Sequence, residues 1–322
     1  MYRLGRILNT WTILFLAIFA LTGYKNEISN AQSLPTGQQI QKNQKHREKG
    51  VYRYATSNAF NLGESKMDSM IKMQENAFII PTLEAMADIY NEFDIIGLQE
   101  LSTGQAKGGK KVKRVSTGAQ ATSIIVDVLN RKGDTWGMLT SDPTVGPGKE
   151  SYAVIFRKSK FIELHAPHSG LIKELQDDID REPYHAVLKE KSTGKLLHIY
   201  LFHLRPKTKK PGLEVEAVGR NPGAFEKENV IISGDFNLPH QKLNNVFEGI
   251  LGLRHWVNKK TSLKEKEING NYMAFEYDNI FTGNGINVQQ TGILDFVPIV
   301  GNLDEARKIS DHLIPWIEFR IK

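Results

Sequence analysis

A mixed α/β domain is the fold class this sequence predicts, and three observations carry it. Short apolar runs rich in β-branched and aromatic residues recur along the chain after residue 50, several alternating with period two, as at Tyr184, Ala186 and Leu188. Stretches with helical periodicity lie between some of them, and no repeat or long Pro-, Gly- or Ser-rich break separates two cores. The 322 residues, 40% hydrophobic and 24% charged, suffice to bury a large core, which excludes a wholly disordered chain and a many-span membrane protein.

Taken in order, Met1 to Thr10 carries Arg3 and Arg6 ahead of an apolar stretch from Trp11 to Thr22, the layout of an export signal. At 12 residues this stretch falls short of the ~20 a spanning helix needs, so cleavage is expected rather than anchoring. Ser29-Asn30-Ala31 is the best small-residue cleavage site. Leu21-Thr22-Gly23 has the pattern of a lipoprotein signal, but Tyr24 stands where the acylated Cys would be. Residues 1–31 therefore read as an export signal, 32–49 as a polar basic linker and 50–322 as one domain. Within that domain, strands are expected at Val51–Ser57, Asp94–Gln99, Tyr152–Arg157, Tyr184–Lys189, Leu196–His203, Val230–Ser233 and Ile314–Phe319. Helices are expected at Thr82–Tyr90, with Pro81 at its start and Leu83, Met86, Ala87 and Tyr90 on one face, and at Ala119–Lys132 and His240–Leu251.

The formal charge of +6 invites the idea of a polyanionic partner, but its location weakens that idea. Leader and linker hold Arg3, Arg6, Lys25, Lys42, Lys45, Arg47 and Lys49 against Glu27 and Glu48, which leaves the rest near neutral at +1. With no cysteine, thiol nucleophiles, thiolate metal sites and disulfides are all excluded.

The chemistry lies in how the apolar runs end. Asp94 to Leu98 runs into Gln99-Glu100, Val230 to Gly234 into Asp235-Phe236-Asn237, and Leu196 to Phe202 ends on His203. Acids, an amide and an imidazole just past apolar strands sit at the rim of a sheet, where ligand crevices form. Singly, each has a plain structural reading: a solvated acid, a helix cap, a strand-edge histidine. Together with Ser310-Asp311-His312 they form one coherent set. Hard oxygens suit Mg²⁺, Mn²⁺ or Ca²⁺ rather than zinc, and imidazoles supply a base for water and an acid for a leaving oxygen.

Further motifs fall in order along the chain: Ser57-Asn58 with Gly63-Glu64-Ser65-Lys66-Met67, Lys149-Glu150-Ser151-Tyr152, Arg181-Glu182-Pro183 and Tyr277-Asp278-Asn279-Ile280. With those above, the set resembles the endonuclease/exonuclease/phosphatase superfamily, and within it the deoxyribonuclease I-like nucleases, over nearly all of 51–322. The resemblance implies two packed β-sheets flanked by helices, a four-layer αββα sandwich. It implies that Glu100, with Asn58 and Asp311, holds a divalent cation, Mg²⁺ with Mn²⁺ or Ca²⁺ as alternatives, against a scissile phosphate. Asp235 and Asn237 would orient the attacking water and the phosphate. His203 and His312 would act from opposite sides as general acid and base, oriented by Glu150 and Asp278 respectively. Arg181, Asn58 and Thr261, the last with Ser262, would contact substrate phosphate.

There are departures from the family pattern. Ser102 stands where the nucleases present an arginine to the minor groove, Gly148 replaces a tyrosine, and the family disulfide is absent. An insertion after Glu100 carries Lys107, Lys110, Lys111, Lys113 and Arg114, and Arg205, Lys207, Lys209 and Lys210 follow His203. Such runs are usually solvated surface, but two of them beside two site residues favour a long polyanion. The expected activity is that of a secreted or periplasmic, metal-dependent endonuclease that cuts DNA with little sequence preference and leaves 5′-phosphate and 3′-hydroxyl ends. The expected chain is a monomer with no stable membrane association. The alternatives are a phospholipase C-like sphingomyelinase or inositol-phosphate phosphatase of the same superfamily, and a secreted toxin subunit or non-catalytic binding protein on this fold.

Overall fold

Strands that alternate between two buried faces need a partner layer on each side, and the structure supplies both. A computed structural model describes residues 48–63, 66, 81–103, 118–146 and 149–322. In chain order its principal elements are β1 (Tyr52–Leu62), α1 (Pro81–Tyr90), β2 (Ile95–Leu101), α2 (Gly118–Asn130), β3 (Trp136–Thr140), β4 (Ser151–Arg157), β5 (Phe161–Leu164), β6 (Gly170–Leu171), β7 (Tyr184–Glu190) and β8 (Leu196–His203). There follow α3 (Gly212–Arg220), β9 (Val230–Asp235), β10 (Arg254–His255), β11 (Leu263–Ile268), β12 (Asn271–Met273), β13 (Asp278–Thr282), β14 (Ile286–Leu294), α4 (Val297–Val300), α5 (Leu303–Ile309) and β15 (Ile314–Ile321). One sheet has the order β14-β15-β1-β2-β4-β3, the other β10-β13-β9-β8-β7-β5 with β6 against β7, and β11 and β12 form a separate hairpin. Each large sheet contains one parallel pair, β1 with β2 and β8 with β9, among antiparallel neighbours.

Period two sorts the side chains into three cores. Tyr54, Ile95, Tyr152, Val154 and Phe156 of the first sheet meet Tyr184, Leu188, Ile199, Leu201, Ile231 and Ile280 of the second between the sheets. On the outer side of the first sheet, Ala55, Ile96, Leu98 and Ile155 pack on Leu83, Met86, Ala87 and Tyr90 of α1 and on Ile125 and Leu129 of α2. Outside the second sheet, Tyr200, Phe202, Ile232 and Phe281 pack on Val215 and Val218 of α3 and on Phe247. The layers are therefore α, β, β, α.

Two glycines mark close approaches. A Cβ on Gly97 would lie 2.3 Å from Cδ2 of Leu201 and 2.7 Å from the Tyr54 hydroxyl, so the sheets nearly touch there. Gly234 has φ +139° and a Cβ on it would lie 1.9 Å from the carbonyl oxygen of Phe202, on the neighbouring strand.

The structure departs from the sequence expectations in places. The segment His240–Leu251 is not one α-helix but a 3₁₀ turn, His240–Lys242, followed by a π-helical stretch, Asn245–Ile250. The wide turn, closed by Leu251 N–H on Val246 O at 2.9 Å, seats Phe247 among Phe202, Phe236 and Phe281. β14 carries no strand signal in the sequence because it is an edge strand with Gln289, Gln290 and Thr291 exposed, and the β11–β12 hairpin is masked by Lys264-Glu265-Lys266-Glu267. The expected export signal, the linker up to residue 47 and the basic insertion after Glu100 lie outside the described residues, as does Gly148. Glu48 and Lys49 already belong to the fold: the Arg320 guanidinium donates to Lys49 O at 2.8 Å and pairs with the Glu48 carboxylate. No helix among the described residues is long and apolar enough to cross a membrane.

Gly234→Ala should cost at least about 3 kcal/mol, from a forbidden φ and a backbone clash together, in urea unfolding. A loss under about 1 kcal/mol would show that β8 and β9 can part without cost.

Candidate active site

The two parallel pairs deliver their C-terminal ends to one place. β1 and β2 bring Asn58 and Glu100; β8 and β9 end with His203 paired to Asp235. β13 runs antiparallel to β9, so its first residue, Asp278, also lies opposite Asp235. His203, Asp235 and Asp278 keep the alternation that puts Leu201, Ile231 and Ile280 between the sheets. Glu100 breaks it. Ile96 and Leu98 face the helices, so an undistorted strand would aim Glu100 there too; instead its φ is +59° and the pairing with β4 shifts register between Leu98 and Leu101. A bulge beside a site re-aims a side chain in this way.

The result is a compact constellation. Asn58 Nδ2 donates to Glu100 Oε1 at 2.9 Å and to Asp235 Oδ2 at 3.3 Å, while the Asn61 N–H donates to Glu100 Oε2 at 3.1 Å. His203 Nδ1 meets both oxygens of Glu150 at 2.8 and 2.9 Å, and its Nε2 lies 3.7 Å from both Glu100 Oε1 and Asp235 Oδ2. His312 Nδ1 meets Asp278 Oδ2 at 2.6 Å, and its Nε2 lies 3.7 Å from the same Asp235 oxygen. Two carboxylate-held imidazoles thus aim their free nitrogens at one oxygen.

The electrostatics follow from burial and these partners. Burial opposes the imidazolium at His312, but Asp278 and then Asp235 outweigh it and lift its pKa to about 10. At His203 burial again opposes protonation, and Glu150 overcomes it to raise the pKa. Burial, reinforced by the negative field of Glu100, raises the Asp311 carboxyl, although His312 pulls the other way.

The donor set fits a hard divalent cation. The carboxylates of Glu100 and Asp235 converge on an amide and are flanked by imidazoles, and ligand atoms of Glu100, His203 and Asp235 lie within 4.8 Å of one another, as do those of Asp235, Asp278 and His312. Asp311 lines the same cleft, close enough to Glu100 for their charges to interact.

Other residues play parts the sequence did not separate. Asn237, at φ +51°, donates its backbone N–H to Asp235 Oδ1 at 2.8 Å and its amide to Leu204 O at 3.0 Å. Arg181 lines the cleft, yet its Nη1 donates to His203 O and Leu204 O at 3.0 and 2.9 Å and its Nε lies 3.2 Å from Glu150, so it braces the first dyad as well as facing the cleft. Thr261 does not reach the cleft: its side chain is fully buried and its hydroxyl accepts the Asp278 N–H at 3.1 Å, while Ser262 forms part of the wall. Lys66, present in the sequence only as part of a motif, buries its ammonium to donate to Ala59 O at 2.7 Å and Ile309 O at 2.6 Å, tying the end of β1 to the segment before Asp311. The cleft holds about 900 Å³, and the β11–β12 hairpin forms one wall of it, with Lys264, Lys266 and Ile268.

No protein-family model matches the chain, and no curated protein matches it. Among solved structures, an endonuclease/exonuclease/phosphatase family protein from Bacteroides thetaiotaomicron is similar at TM-score 0.56 and 17% identity, over 84% of this chain and 98% of that one. A mannosyl-6-phosphatase of the same organism is similar at TM-score 0.55 and 17% identity, over 83% and 99%. TDP2 of D. rerio, complexed with single strand DNA product, is similar at 0.51 and 16%, over 84% and 99%. The structural neighbours are thus endonuclease/exonuclease/phosphatase family proteins, and this chain shares their fold.

Asp278→Asn retains the shape of the His312 dyad but removes its charge. In an NMR titration without divalent cation, the His312 ring should lose its proton near pH 10 in the parent chain and about two units lower in the variant. Equal titration in both would remove Asp278 as the source of the shift.

Proposed function

We propose that the cleft hydrolyses phosphodiester bonds in DNA with the help of a divalent cation, cutting within the strand and with little sequence preference. The observation that carries this reading is the pair of dyads, Glu150–His203 and Asp278–His312, whose free nitrogens bracket a single Asp235 oxygen at 3.7 Å each. In-line displacement at phosphorus needs a proton acceptor on the attacking side and a proton donor on the leaving side, and this arrangement offers one of each.

Glu100 and Asp235, with Asp311 at hand, would hold the cation, which when bound supplies charge neutralisation at the phosphate oxygens. Glu150 and Asp278 fix each ring so that Nδ1 faces its carboxylate and Nε2 faces the reacting atoms. Both rings are drawn toward the protonated form, and the large pull on His312, up to about 10, favours it as the acid that protonates the leaving oxygen. His203 then takes the proton of the attacking water. Asn237, its backbone locked to Asp235, lines the cleft where water and phosphate meet, and Arg181 adds positive charge at its edge. A 5′-phosphate and a 3′-hydroxyl would result. Because such contacts fall on the phosphodiester backbone, they carry no base preference. The leader, with its two arginines before an apolar run, supports action outside the cytosol.

A phosphomonoester substrate is the second reading, supported by the mannosyl-6-phosphatase among the structural neighbours. A non-catalytic role is opposed by the completeness of both dyads.

Incubated with plasmid, single-stranded DNA, RNA, mannose 6-phosphate, inositol phosphate and sphingomyelin in Mg²⁺, Mn²⁺ or Ca²⁺, the protein should cut nucleic acid, leave 5′-phosphate ends and stop in EDTA. Glu100→Gln should lower the rate at least about a thousandfold without unfolding the chain. Hydrolysis of the sugar phosphate or the lipid with nucleic acid left intact would overturn the assignment.

A further inference from the structure

The wall of the cleft contains an aromatic pair that the hydrolytic machinery does not use. Phe275 and Tyr277, two residues apart on the extended segment before β13, stack with ring centroids 4.9 Å apart and planes at 14°. Phe275 is 51% exposed, so its ring is open to a ligand in the cleft. Its backbone is nevertheless firmly held: Thr261 and Ser262 donate to its carbonyl at 2.8 and 3.1 Å, and its own N–H donates to Ser262 Oγ at 2.9 Å. Tyr277 is anchored to the site itself, its carbonyl accepting the Phe236 N–H at 2.8 Å, one residue beyond Asp235. The stack therefore leads outward from the reaction centre on a rigid support.

Lysines stand close to it, although Glu265 lines the same cleft and Glu276 lies between the two aromatics in the chain. β8 and β13 flank β9, so the loop after His203 rises beside the segment before Asp278, and Lys207 Nζ lies over the Phe275 ring, 5.7 Å from its centroid, where a base would displace this flexible side chain. Lys260 and Lys264 line the same cleft. A rigid aromatic face bordered by lysines, next to a centre for phosphodiesters, matches the two parts of a nucleotide: a flat apolar base and an anionic phosphate. A single surface aromatic would be unremarkable; a choline cation can also cover an aromatic face, but the Lys207 ammonium over the Phe275 ring repels it and suits a flat base with an attached phosphate.

We propose that the Phe275–Tyr277 stack is a base platform that holds one unpaired nucleobase while the adjoining phosphate lies in the reaction centre, so that single-stranded or locally unpaired nucleic acid is the preferred substrate. This rests on the phosphodiesterase reading of the cleft. A base inside a duplex has both faces covered by its neighbours and cannot occupy the platform without leaving the stack.

Binding and cleavage separate the two claims. Single-stranded oligonucleotides containing 2-aminopurine, their base-free tetrahydrofuran counterparts and duplexes of the same length are titrated in EDTA, where binding is read without turnover. Cleavage is then followed in Mg²⁺. The platform predicts quenching of 2-aminopurine and tighter binding of the base-bearing single strand than of either other form. It also predicts about tenfold weaker binding in Phe275→Ala, largely restored in Phe275→Trp, with the base-free strand indifferent to both changes. Equal binding of base-bearing and base-free strands, no binding of either, or an unchanged Phe275→Ala would overturn it. Quenching and Phe275-dependent binding without any cleavage in Mg²⁺ would leave the platform standing and remove the hydrolytic reading instead.

Discussion

One buried amide joins the two sheets at the point where the candidate site lies. Asn58 Nδ2 donates to Glu100 at 2.9 Å within its own sheet and to Asp235 at 3.3 Å in the other. Four residues earlier on the same face of β1, the Tyr54 hydroxyl meets Ser233 Oγ, again across the interface. Hydrophobic packing between sheets is non-directional and tolerates small slides, whereas hydrogen bonds between buried groups do not, because a broken one strands a polar atom away from water. These contacts therefore set the relative position of the sheets, and with it the distance between the acid from β2 and the acid from β9. The small residue Gly97, opposite Leu201, lets the sheets come close enough for the amide to reach.

Local strain completes what the sheet register begins. The left-handed φ of Glu100 and its displaced pairing are unfavourable in isolation. They persist because Asn58 and the Asn61 N–H both hold the carboxylate. Asn237, at φ +51°, is held in the same manner by Asp235 and Leu204. Strain at both strand ends is thus balanced by hydrogen bonds to the groups it positions.

Much of this was legible in the sequence because it is local. An apolar run that ends on an acid or an imidazole must put that group at a sheet rim, so Glu100, His203 and Asp235 could be read from their neighbours alone. What could not be read depends on contacts between distant segments. Thr261 and Ser262 are adjacent hydroxyls, and only the pairing of this segment with Phe275 and His312 decides that Thr261 faces inward to Asp278 while Ser262 faces the cleft. The hairpin that walls the cleft is invisible to hydrophobic periodicity because its strands are solvated and charged. The aromatic pair beside it carries no periodic signal at all, and emerges only when Phe275, half exposed, is seen stacked on the partly covered Tyr277.

The central claim is that strand ends from both sheets converge on one point built to take a divalent cation. The most direct measurement is anomalous diffraction at the manganese edge from crystals of the protein soaked in Mn²⁺. The account predicts one strong peak in the cleft, bonded to Glu100 and to a second carboxylate, Asp235 or Asp311, at roughly 2.0 to 2.5 Å. A cleft without a peak, or a peak that leaves Glu100 uncoordinated, would contradict it.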